Sequence, residues 1–480
     1  MSLRQELTIE LIGDTTRPIY LDLAESIIRD IERGRLKPGQ VLPGTRALSR
    51  TLGLHRNTVD AAYHELTMQG WLVARSSQGT FVAEDLSALE NRSSQKQPVA
   101  ARDILPGNKV TPVLLHVSDG TPDPRILPRN ELARAFRTVL TSPLFLFARD
   151  YADPRGAFEL RKALADEFLN ARGLSVAADD LLVTHGSQMA LFLAASVILK
   201  AGDSIAVEDP GYPFAWSCFR SAGAHIVGVP VDEGGIDVDY LEQLVRCDTS
   251  IKAVYVTPHH QYPTTVTLGA GRRLKLLDIA RRYDLTIIED DYDHEYRFDS
   301  HPILPLAARA RPDQSLIHIG SLSKLTAPAL RLGYVIATPK ILDRMIHLRE
   351  IIDRQGDVPL EQALASMMTS GALGRHARKA RRIYAARRDF FIEEIRKRFG
   401  EFVTFTVPAG GLAVWLRVDD RVNVDNWVKT AEEKGLRIGS GTCFSLEGGT
   451  GLNGLRFGYA HLTQDEIGKA LMILSASLPI

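Results

Sequence analysis

From about residue 113 to the C-terminus, short apolar runs alternate with longer helical patterns. That alternation constrains the fold of this 480-residue chain more than any other feature. Leu181-Leu-Val-Thr184, Ser204-Ile-Ala-Val207, Ala253-Val-Tyr-Val256, Leu285-Thr-Ile-Ile-Glu289, Leu316-Ile-His-Ile319 and Gly333-Tyr-Val-Ile336 read as buried strands. Between them, 188–199, 271–283 and 360–369 read as helices. Strands separated by helices form a mostly parallel sheet, because a parallel connection needs a long crossover. Such a sheet places its ligand beyond the C-terminal ends of its strands, so the polar residues found there carry the functional reading.

Lys324 stands out among them. It follows Leu316-Ile-His-Ile319 in Gly320-Ser-Leu-Ser-Lys324, with small hydroxyls before it and Arg331 at the mouth of the next apolar run. Ser321, Ser323, Lys324 and Arg331 can converge on a dianionic phosphate while the amine attacks a carbonyl, provided that burial beside other cations lowers its pKa. A phosphate and an aldehyde in one molecule describe pyridoxal 5'-phosphate. Ser187, in the Gly turn of Thr184-His-Gly-Ser-Gln-Met-Ala-Leu191, offers a phosphate site at a helix N-terminus, although an ordinary capped helix reads equally well. Tyr212 follows a Pro-Gly turn, where its ring can stack on a flat cofactor or simply occupy the turn. Asp290, at the end of Ile287-Ile-Glu-Asp-Asp-Tyr292, can keep a pyridinium nitrogen protonated, and Tyr292 can hydrogen-bond the neighbouring 3'-oxygen. A Mg²⁺ site there is a weaker reading. His259 and His260 invite a metal as well, but no second ligand cluster has suitable spacing.

The N-terminal part has a different pattern. Leu23, Ile27, Ile28 and Ile31 share one helical face, and Gly34, Pro38 and Gly39 end that helix. Thr45 is placed to cap a short second helix ending near Leu52, Gly53 makes a turn, and a third helix opens at His55 or Arg56 with Val59, Ala62, Tyr63 and Leu66 inward. Gly70-Trp-Leu-Val-Ala-Arg75 and Thr80-Phe-Val-Ala83 then read as a hairpin around Gly79. Two short helices across a Gly turn make a helix-turn-helix, with Arg56, Asn57 and Thr58 where base edges and phosphates are met. A packing module with solvated arginines is the bland alternative. Lys37, Arg46, Arg50, Arg56 and Arg75 outnumber Asp60 and Glu65, which favours DNA. Residues 84–107, including Asn91-Arg-Ser-Ser-Gln-Lys-Gln-Pro98, read as a polar tether.

Through Gly34-Arg-Leu36, Pro38-Gly39, Leu42-Pro43, Thr45-Arg46, Arg56-Asn-Thr-Val59, Ala62-Tyr63, Leu66, Gly70-Trp71 and Gly79-Thr-Phe-Val82, residues 15–83 resemble the winged helix of GntR-type regulators. The resemblance implies that Arg46 and Arg56 contact DNA backbone and guanine, that Thr58 helps hold phosphate, and that Gly79 lies in the minor groove. Residues 113–480 resemble a fold-type I aminotransferase, specifically the body of the MocR-type regulators, in which a GntR head is fused to such a domain. The matching residues are Tyr151-Ala-Asp-Pro-Arg-Gly156, Gly186-Ser-Gln188, Asp209-Pro-Gly-Tyr212, His260-Gln-Tyr-Pro-Thr264, Glu289-Asp-Asp-Tyr292, Ser321-Leu-Ser-Lys324, Leu330-Arg-Leu-Gly-Tyr334, Gly410-Gly-Leu412 and Leu455-Arg-Phe-Gly458. This likeness implies an aldimine of pyridoxal 5'-phosphate at Lys324, with Ser187, Gln188, Ser321, Ser323 and Arg331 in the cofactor's cradle. Arg456 would pair with an effector carboxylate through its bidentate fork. The family's Pro-Thr-Gly reads Pro263-Thr264-Thr265 here, a departure that bears on the loop's backbone.

The expected organisation is a winged helix-turn-helix over 1–84, a flexible linker over 85–112 and a fold-type I α/β effector domain over 113–480. Net charge is zero, so any basic surface must be local. Three scattered cysteines fit a reducing cytoplasm, and no apolar run is long enough for a bilayer. The partners expected by family likeness are double-stranded operator DNA, an amino-compound effector or the cofactor itself, and a second copy in a head-to-tail homodimer. A working aminotransferase that carries a DNA-binding head is the alternative function.

Overall fold

The computed structural model describes residues 18–75, 79–84, 115–298, 303–446 and 452–479. The chain divides into two compact units, Met1–Lys109 and Val110–Ile480. The expected linker, 85–112, lies outside the described residues.

In the first unit, α1 (Ile19–Glu32), α2 (Thr45–Leu52) and α3 (Arg56–Met68) precede an antiparallel hairpin of β1 (Leu72–Arg75) and β2 (Gly79–Val82). Leu23, Ile27 and Ile31 from α1 pack with Leu48 of α2 and with Val59, Ala62, Tyr63 and Leu66 of α3, while Ile28 is only partly buried at the edge. Removing this apolar surface from water is what holds so small a unit together. One expectation is corrected. Gly44 occupies the cap of α2, and Thr45 is its first helical residue and makes no capping bond. Gly53, in the left-handed conformation, ends α2 and makes the turn. At the start of α3 the His55 Nδ1 accepts the Asn57 amide at 3.2 Å, which satisfies one of the helix's orphan donors.

The described part of the second unit opens with β3 (Leu115–His116). Its main sheet contains β4 (Leu181–Thr184), β5 (Ser204–Asp209), β6 (His225–Asp232), β7 (Gly235–Ile236), β8 (Ile251–Val256), β9 (Thr286–Asp291), β10 (Leu316–Ser321) and β11 (Gly333–Ala337), in the order β4-β11-β10-β9-β8-β5-β6-β7. Neighbours from β10 through β6 run parallel, and β11 is antiparallel to both β10 and β4. Two reversals restore direction, so β4 ends on the same edge as the parallel strands. Every residue of β4, β9 and β10 is buried, as strands covered on both faces require.

A smaller lobe contains the antiparallel strands β12 (Val403–Thr404), β13 (Ala413–Val418) and β15 (Gly454–Gly458), while β14 (Leu436–Arg437) pairs in parallel with β3. The helix Ala372–Phe399 packs on this lobe, with Phe391 stacked on Phe457 at 4.5 Å between ring centroids. No helix of the described residues is long and apolar enough to cross a membrane.

Candidate functional site

The C-terminal edge of the main sheet borders a cavity that spans about 490 Å³ with the solvent at its mouth included. Each strand that ends there delivers a polar group. Ser187 stands at the start of the helix Gly186–Ile198 after β4, Tyr212 follows β5, Thr257 follows β8, Asp290 is the penultimate residue of β9, and Ser321 and Lys324 end and follow β10. Arg456 reaches the same cavity from β15 in the smaller lobe.

Lys324 donates through Nζ to the Gly120 carbonyl at 2.7 Å. Burial lowers the amine from its ordinary range, against the pull of the Asp119 and Asp293 carboxylates, so a larger share of it is neutral and nucleophilic. Asp290 Oδ2 accepts the Tyr255 hydroxyl at 3.0 Å, while Oδ1 is buried and has no hydrogen-bond partner among the described residues. Burial, with repulsion from Asp291 added, pushes the Asp290 carboxyl up to about 7. A buried carboxylate with one unmatched oxygen is suited to a cationic N–H. Tyr292 donates to the His260 carbonyl at 2.9 Å and accepts Arg456 Nη2 at 3.3 Å. Tyr212 meets the Tyr262 ring edge-on, with centroids 5.0 Å apart.

Arg456 is buried. Its guanidinium lies 4.5 Å over the Tyr262 ring, Nε donates to the Asp119 carbonyl at 2.6 Å, and Nη1 donates to the Pro263 carbonyl. Among the described residues its hydrogen-bond acceptors are neutral oxygens, and the Asp119 and Asp293 carboxylates are its charged neighbours. Arg331 is exposed and is not among the residues that line the cavity; it donates to the His185 carbonyl at 3.3 Å, against the N-terminus of Gly186–Ile198. Gly186 makes that approach possible. Its φ is +75°, and a Cβ there would fall 2.8 Å from Arg331 Nη2.

Two more expected cradle residues are off the lining. Gln188 Nε2 donates to the Phe214 carbonyl at 3.1 Å and approaches Cys218 Sγ at 3.0 Å, one helical step away from the cavity. Ser323 is buried and donates to the Leu332 carbonyl at 3.4 Å. The helical spacing after Ser187 and the tight turn before Lys324 carry these side chains off the cavity wall, where they brace its supports. The wall has other members that the sequence reading does not single out: Asp119, Gly120, Tyr255, Thr257 and Tyr262. The Tyr262 hydroxyl donates to Asp119 Oδ2 at 2.6 Å. Burial works against the charge on Asp119, yet Lys324, this hydrogen bond and Arg456 hold its carboxyl below the usual range. Asp-Gly is a common turn pair, and nothing in its sequence context marks it as part of a site.

Thr265 settles the departure noted in the sequence. It holds φ at 63°, the left-handed region that glycine adopts freely, and its amide bonds to the Gln261 carbonyl at 2.7 Å, so the loop turns there without glycine. Among the described residues no group of three or more His, Cys, Asp or Glu side chains is placed to hold a metal ion.

In the first unit Arg46, Arg56, Asn57 and Gly79 are exposed and Thr58 is half-buried. Arg56 Nε lies 3.4 Å from Asp60 Oδ2, an exposed i,i+4 pair that is weak enough to release the arginine to a phosphate or a base. Asn57 and Thr58 follow it in the first turn of α3.

Residues 19–82 match the gntR family of bacterial regulatory proteins, and residues 148–474 match aminotransferase class I and II. The chain is 32% identical to the HTH-type pyridoxine biosynthesis transcriptional regulator PdxR of Corynebacterium glutamicum, over 99% of each chain. It is 30% identical to the probable rhizopine catabolism regulatory protein MocR of Rhizobium meliloti, over 88% of this chain and 87% of that one. Among solved structures, the α-aminoadipate aminotransferase LysN of Thermus thermophilus, complexed with N-(5'-phosphopyridoxyl)-L-leucine, superposes with a TM-score of 0.69 at 26% identity. That likeness covers 76% of this chain and 91% of LysN. The two halves match in one order along one chain: it belongs to the MocR-type subfamily of GntR transcription regulators, with a winged-helix DNA-binding domain followed by a fold-type I aminotransferase-like domain.

Proposed function

We propose that the chain is a DNA-binding transcription regulator that senses pyridoxal 5'-phosphate, or an amino compound reacting with it, through Lys324. The observation that carries this reading is the convergence of Lys324, Asp290, Tyr292 and Arg456 on one cavity in a chain that also has a winged helix. When bound, the cofactor supplies an aldehyde that condenses with amines and a ring that withdraws electrons. Lys324 would hold the aldehyde end of the cofactor through its amine. Asp290 holds the proton on the ring nitrogen, the role its unmatched Oδ1 fits, and Tyr292 hydrogen-bonds the 3'-oxygen. Tyr212 covers the ring face. Ser187, Ser321 and Arg331 hold the phosphate, with Gln188 and Ser323 supporting them from behind. Arg456 receives the effector carboxylate.

In the head, Arg46, Arg56, Asn57, Thr58 and Gly79 meet the operator. An exposed apolar run, Leu144-Phe-Leu-Phe147, supports a second copy as partner, since patches of this kind mark interfaces. The same catalytic set also favours a second reading, a working aminotransferase. Turnover with a panel of amino and keto acids separates it from a sensor.

Borohydride reduction of the full-length protein with cofactor, followed by peptide mapping, tests the assignment. The label is expected on the Lys324 peptide and lost in Lys324→Ala; a label on another lysine overturns it. Operator affinity and footprint are expected to differ with and without cofactor, and identical footprints would refute the sensor.

A further inference from the structure

The strand end that carries Asp290 has a second face. Successive side chains of a strand point to opposite sides of the sheet. Asp290 lines the cofactor cavity, whereas Asp291 pairs with Arg172 and lies 3.3 Å from His259 Nδ1. The preceding loop divides in the same way: His260 pairs with Asp293 at 2.7 Å, while His259 turns to the other side. There Arg172, His259, His294 and Glu295 form one wall of a second, open cavity that spans about 1490 Å³ with the solvent at its mouth included. The opposite wall is the first part of the helix Ala372–Phe399, which presents Arg375, Arg378 and Arg381 at three-residue spacing, hence on one helical face.

The charges there do not cancel. Arg375 donates to the Ser370 carbonyl and Arg381 to the Glu295 carbonyl, both neutral acceptors. Arg378 has no ion pair among the described residues, and Arg172 Nη1 is buried without a hydrogen-bond partner among them. Glu295 offsets little, because burial pushes its carboxyl up to about 8 and it is largely protonated at neutral pH. Glu167 is the remaining carboxylate on the lining. Arg375, Arg378 and Arg381, with Arg172 and Arg297 also on the lining, stand against Glu167; such an excess of guanidinium matches a compact ligand with several negative charges, and guanidinium forks match phosphate oxygens. We propose that this cavity is an anion site for a phosphorylated small molecule, on the face of the sheet opposite the cofactor cavity. It is independent of the sensor reading, because none of its lining residues faces the cofactor cavity.

Calorimetric titration of the full-length, cofactor-loaded protein tests it with three probes: inorganic phosphate, inorganic pyrophosphate and free pyridoxal 5'-phosphate beyond one equivalent. Saturable binding of one pyrophosphate per chain is expected. It should weaken about tenfold or more in Arg375→Glu/Arg378→Glu, given the worth of charged hydrogen bonds. Both residues are exposed, so borohydride labelling of Lys324 should not change. Lys379→Glu/Arg382→Glu, on the same helix and off the cavity, should bind as the wild type. Displacement of pyrophosphate by free cofactor identifies the cofactor as the ligand; failure to displace it identifies another phosphate. The proposal falls if the wild type shows no saturable binding, if Arg375→Glu/Arg378→Glu binds undiminished, or if the control pair weakens binding equally.

Discussion

Replacing Asp290 with asparagine should stabilise the cofactor-free protein near neutral pH, while the role proposed for Asp290 predicts weaker cofactor retention. The folded environment holds the Asp290 carboxyl at about 7 instead of the usual 3.8, mainly through burial. An acid whose folded pKa is raised binds its proton longer in the folded state, so its ionisation favours unfolding. The penalty is absent below about pH 4, grows as pH rises towards 7, and levels off above it. At about 1.4 kcal/mol per pH unit, the displacement corresponds to about 4 kcal/mol, a large part of the stability of an ordinary domain. Asparagine keeps an oxygen for the Tyr255 hydroxyl, now 3.0 Å from Oδ2, and removes the charge. Urea midpoints of cofactor-free wild type and Asp290→Asn, followed by tryptophan fluorescence from about pH 5 to about pH 8, should diverge with rising pH in favour of the variant. Added cofactor should reverse the order at neutral pH, because a pyridinium gives the wild-type carboxylate its missing partner. Parallel pH curves for the two proteins would refute the argument.

Arg56→Ala should cost roughly 1–3 kcal/mol of operator binding, read by fluorescence anisotropy; an unaltered Kd removes Arg56 from the reading surface. Gly156→Ala places a Cβ 2.6 Å from Val183 Cβ at a φ of +98°. Overpacking plus a left-handed alanine should cost about 2–5 kcal/mol, and an unchanged thermal midpoint would show that β4 yields. Tyr63→Phe removes a hydrogen bond of 2.8 Å to the Pro43 carbonyl and should cost about 1 kcal/mol, measurable as a lower urea midpoint of the head.

Much of the architecture was legible because apolar runs report burial directly. The runs at 181–184, 253–256 and 316–319 all lie in strands, and the helical patterns at 188–199 and 271–283 differ from Gly186–Ile198 and Ala270–Arg282 only at their ends. Strand β6 was harder to see, since Gly228 and Pro230 interrupt His225–Asp232, and Pro supplies no ladder donor. The site was legible where chemistry is concentrated in a strand end, as at Asp290 and Lys324. It was illegible where the fold assembles it from afar: the Gly120 carbonyl that receives Lys324 lies 204 residues away in the chain, and its Asp-Gly pair looks like any turn. Helical phase also decides what a motif cannot, since Ser187 meets the cavity while its neighbour Gln188 turns to Cys218.

The adjacent aspartates at the end of β9 make strand register a matter of charge. Asp290, pushed up to about 7, and Asp291, held well below the usual range by Arg172 against the cost of its burial, are chemically identical side chains with opposite fates. A slip of one residue that carried Asp291 into the place of Asp290 would carry Tyr292 into the place of Asp291 beside Arg172. A carboxylate without its arginine would then stand in one cavity, and an arginine without its carboxylate would be stranded in the other. Tyr255 reading one aspartate and Arg172 the other thus act as a parity check on the alignment of β9 with β8 and β10, so that misaligned chains pay in unpaired ions before any ligand arrives.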